Sequence, residues 1–367
     1  CRLRRQAPFV SLRLNDAHGK ENVYAPKGRA PSGLSHQVTR FYRENPHYRI
    51  GPDVKSWTQH VLNWAIPEVR NRKLGFVREI CEQYDIDGFE LDFMRHLPFF
   101  RQGETRSAER RKVMTDFCRQ AREVLDATGG GKHRWLCCRI PSRLSAHDPM
   151  GIDVVGMARA GVEMFNLCSK YFTDQDTDLE QIRAMVPETS VYLELCHSAG
   201  KMPRIPAYPG EAPLLEAAYR VDSTVINRMV TPEQYFTTAH LAYAQGADGI
   251  SFFNFAWTRS RETYLGRPFM SEPPFDVLRD IGDRAAVARK PLHYFLSGWG
   301  YVAAPNDPPQ LPVWLCKSDA AALRMDLCPP AGGWTAEGRL RIQSRDPLVE
   351  VGFEVRMNGV LLSPTPD

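Results

Sequence analysis

The chain is 367 residues long, 43% of them apolar and 25% charged, which predicts an ordinary globular protein of one large domain or one and a half. Disorder and collagen-like architecture are excluded. Lys plus Arg at 47 against Asp plus Glu at 43 gives a formal charge of +4 without a dense basic block, so nucleic acid is not an expected partner. No window approaches the roughly 18 consecutive apolar residues of a membrane span, so none is expected. The composition fixes no oligomeric state.

The chain does not begin with Met, and its first residues read as the tail of a helix running into a β-like segment at Phe9 to Leu14. This predicts an amino-terminal truncation that would also have removed any signal peptide. The stretch Cys1 to Pro8 has no apolar signal core of its own, and the compartment stays open, with periplasm and secretion among the alternatives. The nine cysteines lie mostly inside apolar segments such as Leu136-Cys137-Cys138, where a thiol behaves as a small buried hydrophobe. With no CxxC pair and no Cys/His cluster, structural zinc is not expected.

Further β-like segments follow at Gly88 to Phe93, Trp135 to Ile140, Val162 to Cys168, Val191 to Cys196 and Gly249 to Phe255. A helix is predicted from about Pro67 to Tyr84, with Val69, Phe76, Val77, Ile80 and Tyr84 at three-to-four spacing. A second is predicted from about Ser107 to Ala127, stopped by Gly129-Gly130-Gly131. A third is predicted from about Pro232 to Gln245, where Thr231 and Gln234 form a capping-box pattern.

Strand and helix in strict succession predict a parallel sheet with helices outside it. Period-two reading gives each strand one polar face: Ser11, Arg13 and Asn15; Glu90 and Asp92; Cys137 and Arg139; Met164, Asn166 and Cys168; Tyr192, Glu194 and Cys196; Phe252 and Asn254. A doubly wound sheet buries both faces of its central strands. A (β/α)₈ TIM barrel instead points polar groups from its strands' carboxyl ends into one shared pocket, and that is the expected fold, α/β, with the first strand upstream of Cys1. After about Leu296 short β-like runs at Val313 to Cys316, Ala322 to Leu327, Leu340 to Ile342 and Val349 to Val355 replace the helical period. The expected domains are therefore a barrel over 1–296 and a small all-β, sandwich-like accessory domain over 297–367.

The sharpest segment is Asp87-Gly88-Phe89-Glu90-Leu91-Asp92-Phe93-Met94-Arg95-His96. Glu90 and Asp92 are two apart on a strand, hence on one face, and two such carboxylates push each other's protonation upward unless cations answer them. The segment resembles the strand signature of carbohydrate-active barrels in which an Asp near the strand's end is the nucleophile, as in retaining α-amylase-type enzymes. It is more similar to an uncharacterised bacterial family-10-like glycosyl hydrolase group, whose members carry Asp-Gly, two residues, Leu/Phe-Asp, and an Arg three positions further. The runs Ser11 to His18 and Gly246 to Asn254 resemble that group in the same order. The amylase pattern is broken at Glu90, where those enzymes place an Arg, and by the lack of their later His-Asp pair. Only Asp92 is carried over, as nucleophile or base.

The resemblance implies a glycosidase, a hydrolase of O-glycosyl bonds in a poly- or oligosaccharide, which needs a second carboxyl group. Glu194, between two leucines late in its strand, is the foremost candidate acid and Glu90 the other; pairing of Glu194 with Arg139 or Arg13 is the structural alternative. Arg13, Asn15, Asp16, His18, Arg95, His96, Arg139, Asn254 and Trp257 are expected to bind substrate. Inward arginines fit an acidic sugar, or neutralise the barrel's own carboxylates. No cofactor and no metal are expected, and the one expected partner is carbohydrate. Two other readings stay open: a carbohydrate-binding barrel without catalysis, and a metal-dependent hydrolase using Asp16, His18, Glu90, Asp92 and His197, against which the missing His-x-His pair counts. Asp92→Asn, which removes charge from a crowded site, is expected to abolish hydrolysis while leaving stability nearly unchanged or raised.

Overall fold

The computed structural model describes residues 3, 5–20, 23, 38–51, 60–169, 172–203, 219–220, 225–256, 273–296, 310–342 apart from 312, 314, 317, 318 and 336, and 353–363. Its centre is a sheet of six parallel strands: β1 (Phe9–Arg13), β2 (Gly88–Asp92), β3 (Trp135–Pro141), β4 (Met164–Cys168), β5 (Ser190–Cys196) and β9 (Gly249–Phe253). Between β5 and β9 lies a small antiparallel sheet of β6 (Ser198–Pro203), β7 (Tyr219–Arg220) and β8 (Val225–Met229), in the order β6-β8-β7.

The six strands neighbour one another in chain order. A doubly wound sheet reverses its strand order at a switch point so that helices cover both faces. Strands added always on the same side, through crossovers of one hand, leave all the helices on one face. The sheet curls with that face outward, giving the half-barrel form of a partial TIM barrel, whose concave face is left for side chains.

The convex face is apolar for this reason. Phe89 and Leu91 of β2, Leu136, Cys138 and Ile140 of β3, and Phe165 and Leu167 of β4 are wholly buried. Against them lie α1 (Pro67–Gln83), burying Val69, Val77 and Cys81, and α2 (Ser107–Thr128), burying Met114, Phe117, Cys118, Ala121 and Leu125. Gly130 and Gly131 follow α2 with positive φ of 58° and 85°, the conformation that ends it. Further along, α3 (Val154–Arg159) is capped by Asp153, which accepts from the Gly156 N–H, and α4 (Leu179–Met185) leads into β5. α5 (Pro232–Ala244) opens on the expected capping box, with Thr231 Oγ1 accepting from Gln234 N and Gln234 Oε1 from Thr231 N.

Beyond residue 296, where the sandwich-like domain is expected, much of the chain lies outside the described residues. The strands described there are a two-stranded hairpin, β10 (Arg356–Met357) with β11 (Val360–Leu361). The described parts of the other runs are not in strands, and Leu315, Leu323, Leu327, Leu340 and Ile342 are exposed.

Candidate active site

Pairing in register carries each concave-face residue to its neighbours. Ser11, Glu90, Cys137 and Met164 align in one layer, and Arg13, Asp92, Arg139, Asn166, Tyr192 and Gly249 in the next. Glu194 aligns with Ser251 and Cys196 with Phe253, so β9 turns Gly249, Ser251 and Phe253 inward. This corrects the period-two reading of Phe252 and Asn254 by one residue. Gly249 serves the layer directly, because a Cβ there would stand 2.3 Å from the Tyr192 ring. Phe252 packs outward on Tyr235 and Phe255, and Asn254 lies past the strand end with φ of 54°.

Arg139 is the hub of this face. Its Nη1 donates to Asp92 Oδ1 at 2.8 Å, while Nε and Nη2 each donate to Glu194, at 2.6 Å to Oε2 and 2.6 Å to Oε1. Its Nη2 also lies 2.9 Å from Cys168 Sγ, and its guanidinium 4.4 Å from the Phe253 ring centroid. Arg139, Asp92 and Glu194 are all buried. Burial works against the Arg139 charge, but Cys168, Glu194 and Asp92 outweigh it and hold the group well above the ordinary arginine range. Of the two partners the sequence left open for Glu194, the structure takes Arg139; Arg13 turns instead to Asp16, 3.1 Å away. Asp92 Oδ1 also accepts from the Met94 N–H at 2.8 Å, which locks the carboxylate where the strand gives way to its loop.

Glu90 is placed differently. Its Oε1 accepts from Ser11 Oγ at 2.6 Å, and its Oε2 lies 3.3 Å from Asn166 Nδ2 and 3.8 Å from Cys137 Sγ. Burial pushes its carboxyl upward; the Ser11 hydrogen bond opposes this and the Asp92 charge adds to it, leaving a net rise. Asn166 joins the carboxylates, with Nδ2 3.3 Å from Glu194 Oε2 and Oδ1 accepting from Ser251 Oγ at 2.6 Å. Two acids thus meet one guanidinium, and Glu90 beside them is, among the described residues, the acid without a cation in contact. A carboxyl so placed can carry a proton while its neighbour stays an anion, the division of labour that acid and base catalysis requires.

A second cluster gathers where β1 and β2 end. His18 Nδ1 lies 2.5 Å from Asp16 Oδ1, His96 Nδ1 lies 3.4 Å from the same oxygen, and the ligand atoms of all three are within 4.8 Å of one another. Metal ligation needs an imidazole lone pair directed at the ion. Arg95 Nη2 stands 2.9 Å from His18 Nε2, and because arginine only donates, that lone pair is taken. His96 Nδ1 accepts from the Ala17 N–H at 3.0 Å. Asp16 is held by Arg13, and Lys20 Nζ donates to its carbonyl oxygen. These residues do not fit a cation. Burial alone would raise the Asp16 carboxyl, but His96 and the backbone and ring of His18 outweigh it and hold it well below the usual carboxylate range.

Other expected site residues lie elsewhere. Asn15 is buried, its Nδ2 bonded to the carbonyls of Leu62 at 3.3 Å and Pro98 at 3.2 Å, so it ties two loops together. His197 is buried beside Cys196, with 3.3 Å between Nδ1 and Sγ. Trp257 lies outside the described residues. Sequence reasoning did not single out Ser251 and Phe253, which the β9 register turns inward, nor Lys20 and Lys73, which are brought to the rim by contacts from outside their own segments. It also passed over Asp174, buried in the loop after β4, whose carboxyl burial pushes up to about 7. Nothing in Thr173-Asp174-Gln175 marks it from sequence.

No protein-family model matches the chain, and no curated protein sequence matches it. Solved structures similar to it include catalytic domain 2 of the group II chitinase of Ostrinia furnacalis, at 12% identity over 57% of this chain and 74% of that one, with a TM-score of 0.38. A chitinase from Bacillus thuringiensis matches at 11% identity over 59% and 47%, TM-score 0.40. A β-galactosidase from the psychrophilic Marinomonas ef1 matches at 9% identity over 72% and 51%, TM-score 0.36.

Proposed function

We propose that the chain is a glycoside hydrolase that cleaves O-glycosidic bonds of a poly- or oligosaccharide on the concave face of its sheet. The observation that carries this reading is the meeting of Asp92 and Glu194 on Arg139 with Glu90 beside them, joined to Glu194 through Asn166 and, among the described residues, without a cation in contact. Asp92 acts as nucleophile or base and Glu90 as the acid that protonates the leaving oxygen. Glu194, gripped at two points by Arg139, is a positioning residue: it fixes the guanidinium that in turn orients Asp92.

The test is release of reducing sugar from a panel of neutral and acidic polysaccharides and aryl glycosides by wild type, Asp92→Asn and Glu90→Gln. Hydrolysis by wild type, lost in Asp92→Asn and cut at least about a hundredfold in Glu90→Gln, is the expected result. For Glu90→Gln, aryl glycosides with good leaving groups should be spared relative to natural ones, because they need less acid assistance.

The Arg139 clamp also supports a second reading. A barrel in which both Asp92 and Glu194 are engaged by arginine can bind carbohydrate without cutting it. Binding without hydrolysis by wild type would select that reading.

A further inference from the structure

Inside the site Arg139 is paired with two carboxylates, Asp92 and Glu194. The rim beside it gathers cations. Among the described residues Arg13, Lys20 and Lys73 lie around Asp16, and Arg95 feels both Asp16 and Asp92. Lys73 reaches from α1 to bond the Arg13 carbonyl at 2.9 Å, and Lys20 bonds the Asp16 carbonyl, so these ammonium groups are fixed by backbone oxygens rather than by counter-charges. Arg13 leaves 48% of its side chain exposed at the mouth.

We propose that this rim binds an anionic group on the sugar, a carboxylate or a sulfate ester, so that the substrate is an acidic carbohydrate. The inference rests on the glycosidase reading for the word substrate, but the anion site itself does not. Like charges are brought together here at a cost in free energy that an anion would offset. Burial, and after it the nearness of Lys73, lowers Lys20 to about 7. Burial likewise lowers Lys73 to about 8, and burial followed by Arg13 lowers Arg95 to about 10. At neutral pH Lys20, and to a smaller extent Lys73, would gain charge beside a bound carboxylate or sulfate, while Arg95 is charged throughout. The same crowding repels a divalent ion, in keeping with imidazole lone pairs that are already engaged.

The experiment is thermal unfolding of the whole chain with rising glucuronate or inorganic sulfate at constant ionic strength, with glucose as the neutral probe. A ligand of the native state raises Tm along a saturating curve, whereas general salting-out gives a straight line. Saturation with glucuronate, sulfate or both, and none with glucose, is expected; the anion with the lower half-saturation identifies the substituent. Arg13→Gln and Lys73→Gln should each raise the half-saturation concentration about tenfold, as befits one lost charge-assisted contact, while Arg279→Gln, an exposed cation elsewhere, should not. Arg13 is exposed enough for its variant to fold even should Lys73→Gln not. A linear response, or a saturating one unchanged in Arg13→Gln, overturns the proposal. Hydrolysis of neutral glycans with kcat/KM untouched by Arg13→Gln would also overturn it while leaving the glycosidase reading intact. Saturable anion binding without any hydrolysis would uphold the anion site and sink that reading.

Discussion

Arg139 and Glu194 meet across β4 in a two-point contact, 2.6 Å from Nε to Oε2 and 2.6 Å from Nη2 to Oε1, with both side chains buried. The planar guanidinium suits a carboxylate at two points and still offers Nη1 to Asp92. One residue of β3 thereby links an acid of β2 to an acid of β5. Replacing Arg139 by Leu strands two buried carboxylates, and a loss of about 3–5 kcal/mol in unfolding free energy is expected from urea titration. The double variant Arg139→Leu/Glu194→Leu should be less destabilised than Arg139→Leu alone, since one stranded charge goes with it. A single variant as stable as wild type would mean that water already solvates these carboxylates.

The Arg139 contact also reverses an expectation. Among uncompensated acids, Asp92→Asn would cost nothing or stabilise. With Arg139 at 2.8 Å, the substitution removes one half of a buried ion pair but keeps the oxygen that accepts from Met94 N. A loss of about 1–3 kcal/mol is expected from the same titration, alongside the loss of hydrolysis.

Glu90 provides a pH test. Its carboxyl is raised in the folded chain, by burial first, so the native state holds this proton more tightly than the unfolded state does. Its favourable contribution is present below the unfolded glutamate value and is lost as pH rises through the folded one. Glu90→Gln should therefore gain stability relative to wild type on going from acid to neutral pH, with the two converging in acid. Tm profiles that stay parallel across that range would show that Glu90 titrates as it does in the unfolded chain.

Much of this was legible because period-two and period-3.6 patterns report which face is greasy. The alternating residues of β2 put Glu90 and Asp92 on one face, and the structure keeps them there. The face of β9 was not legible, because Ile250, Phe252 and Phe253 leave both of its faces apolar; only pairing with β5, which sets Ser251 beside Glu194, fixes it. The partner of Glu194 depended on a contact across 55 positions of sequence. The rim was half legible: Arg13, Asp16, His18 and Arg95 stood out beside strand ends, whereas Lys73 reaches the cluster from a helix whose pattern speaks only of packing.

Thr231 offers a test of local folding. Its side chain and that of Gln234 satisfy each other's backbone N–H at the start of α5, whose Tyr235, Ala239 and Ala242 are buried. Thr231→Ala should cost about 1 kcal/mol, and Thr231→Ser should restore most of it. Chemical denaturation of the three chains makes the comparison. Equal midpoints would mean that tertiary packing alone holds the helix start.

His197 should make the fold acid-labile. Burial lowers its ring from 6.5 to about 4, because the site gives the imidazolium no water. The unfolded chain takes up a proton near pH 6.5 that the native chain refuses, so the contribution of His197 is complete above that pH and is lost as pH falls toward about 4. By linkage the loss amounts to about 3 kcal/mol across the interval. His197→Gln, which cannot titrate, should flatten the pH dependence of unfolding there, even where its stability at neutral pH is somewhat lower. Because Glu90 changes stability in the opposite sense as pH falls, wild type should show a shallower acid decline than Glu90→Gln. The steepest decline of all should belong to the chain that keeps His197 and lacks Glu90, and measuring Tm against pH for the two single variants and their double separates the contributions.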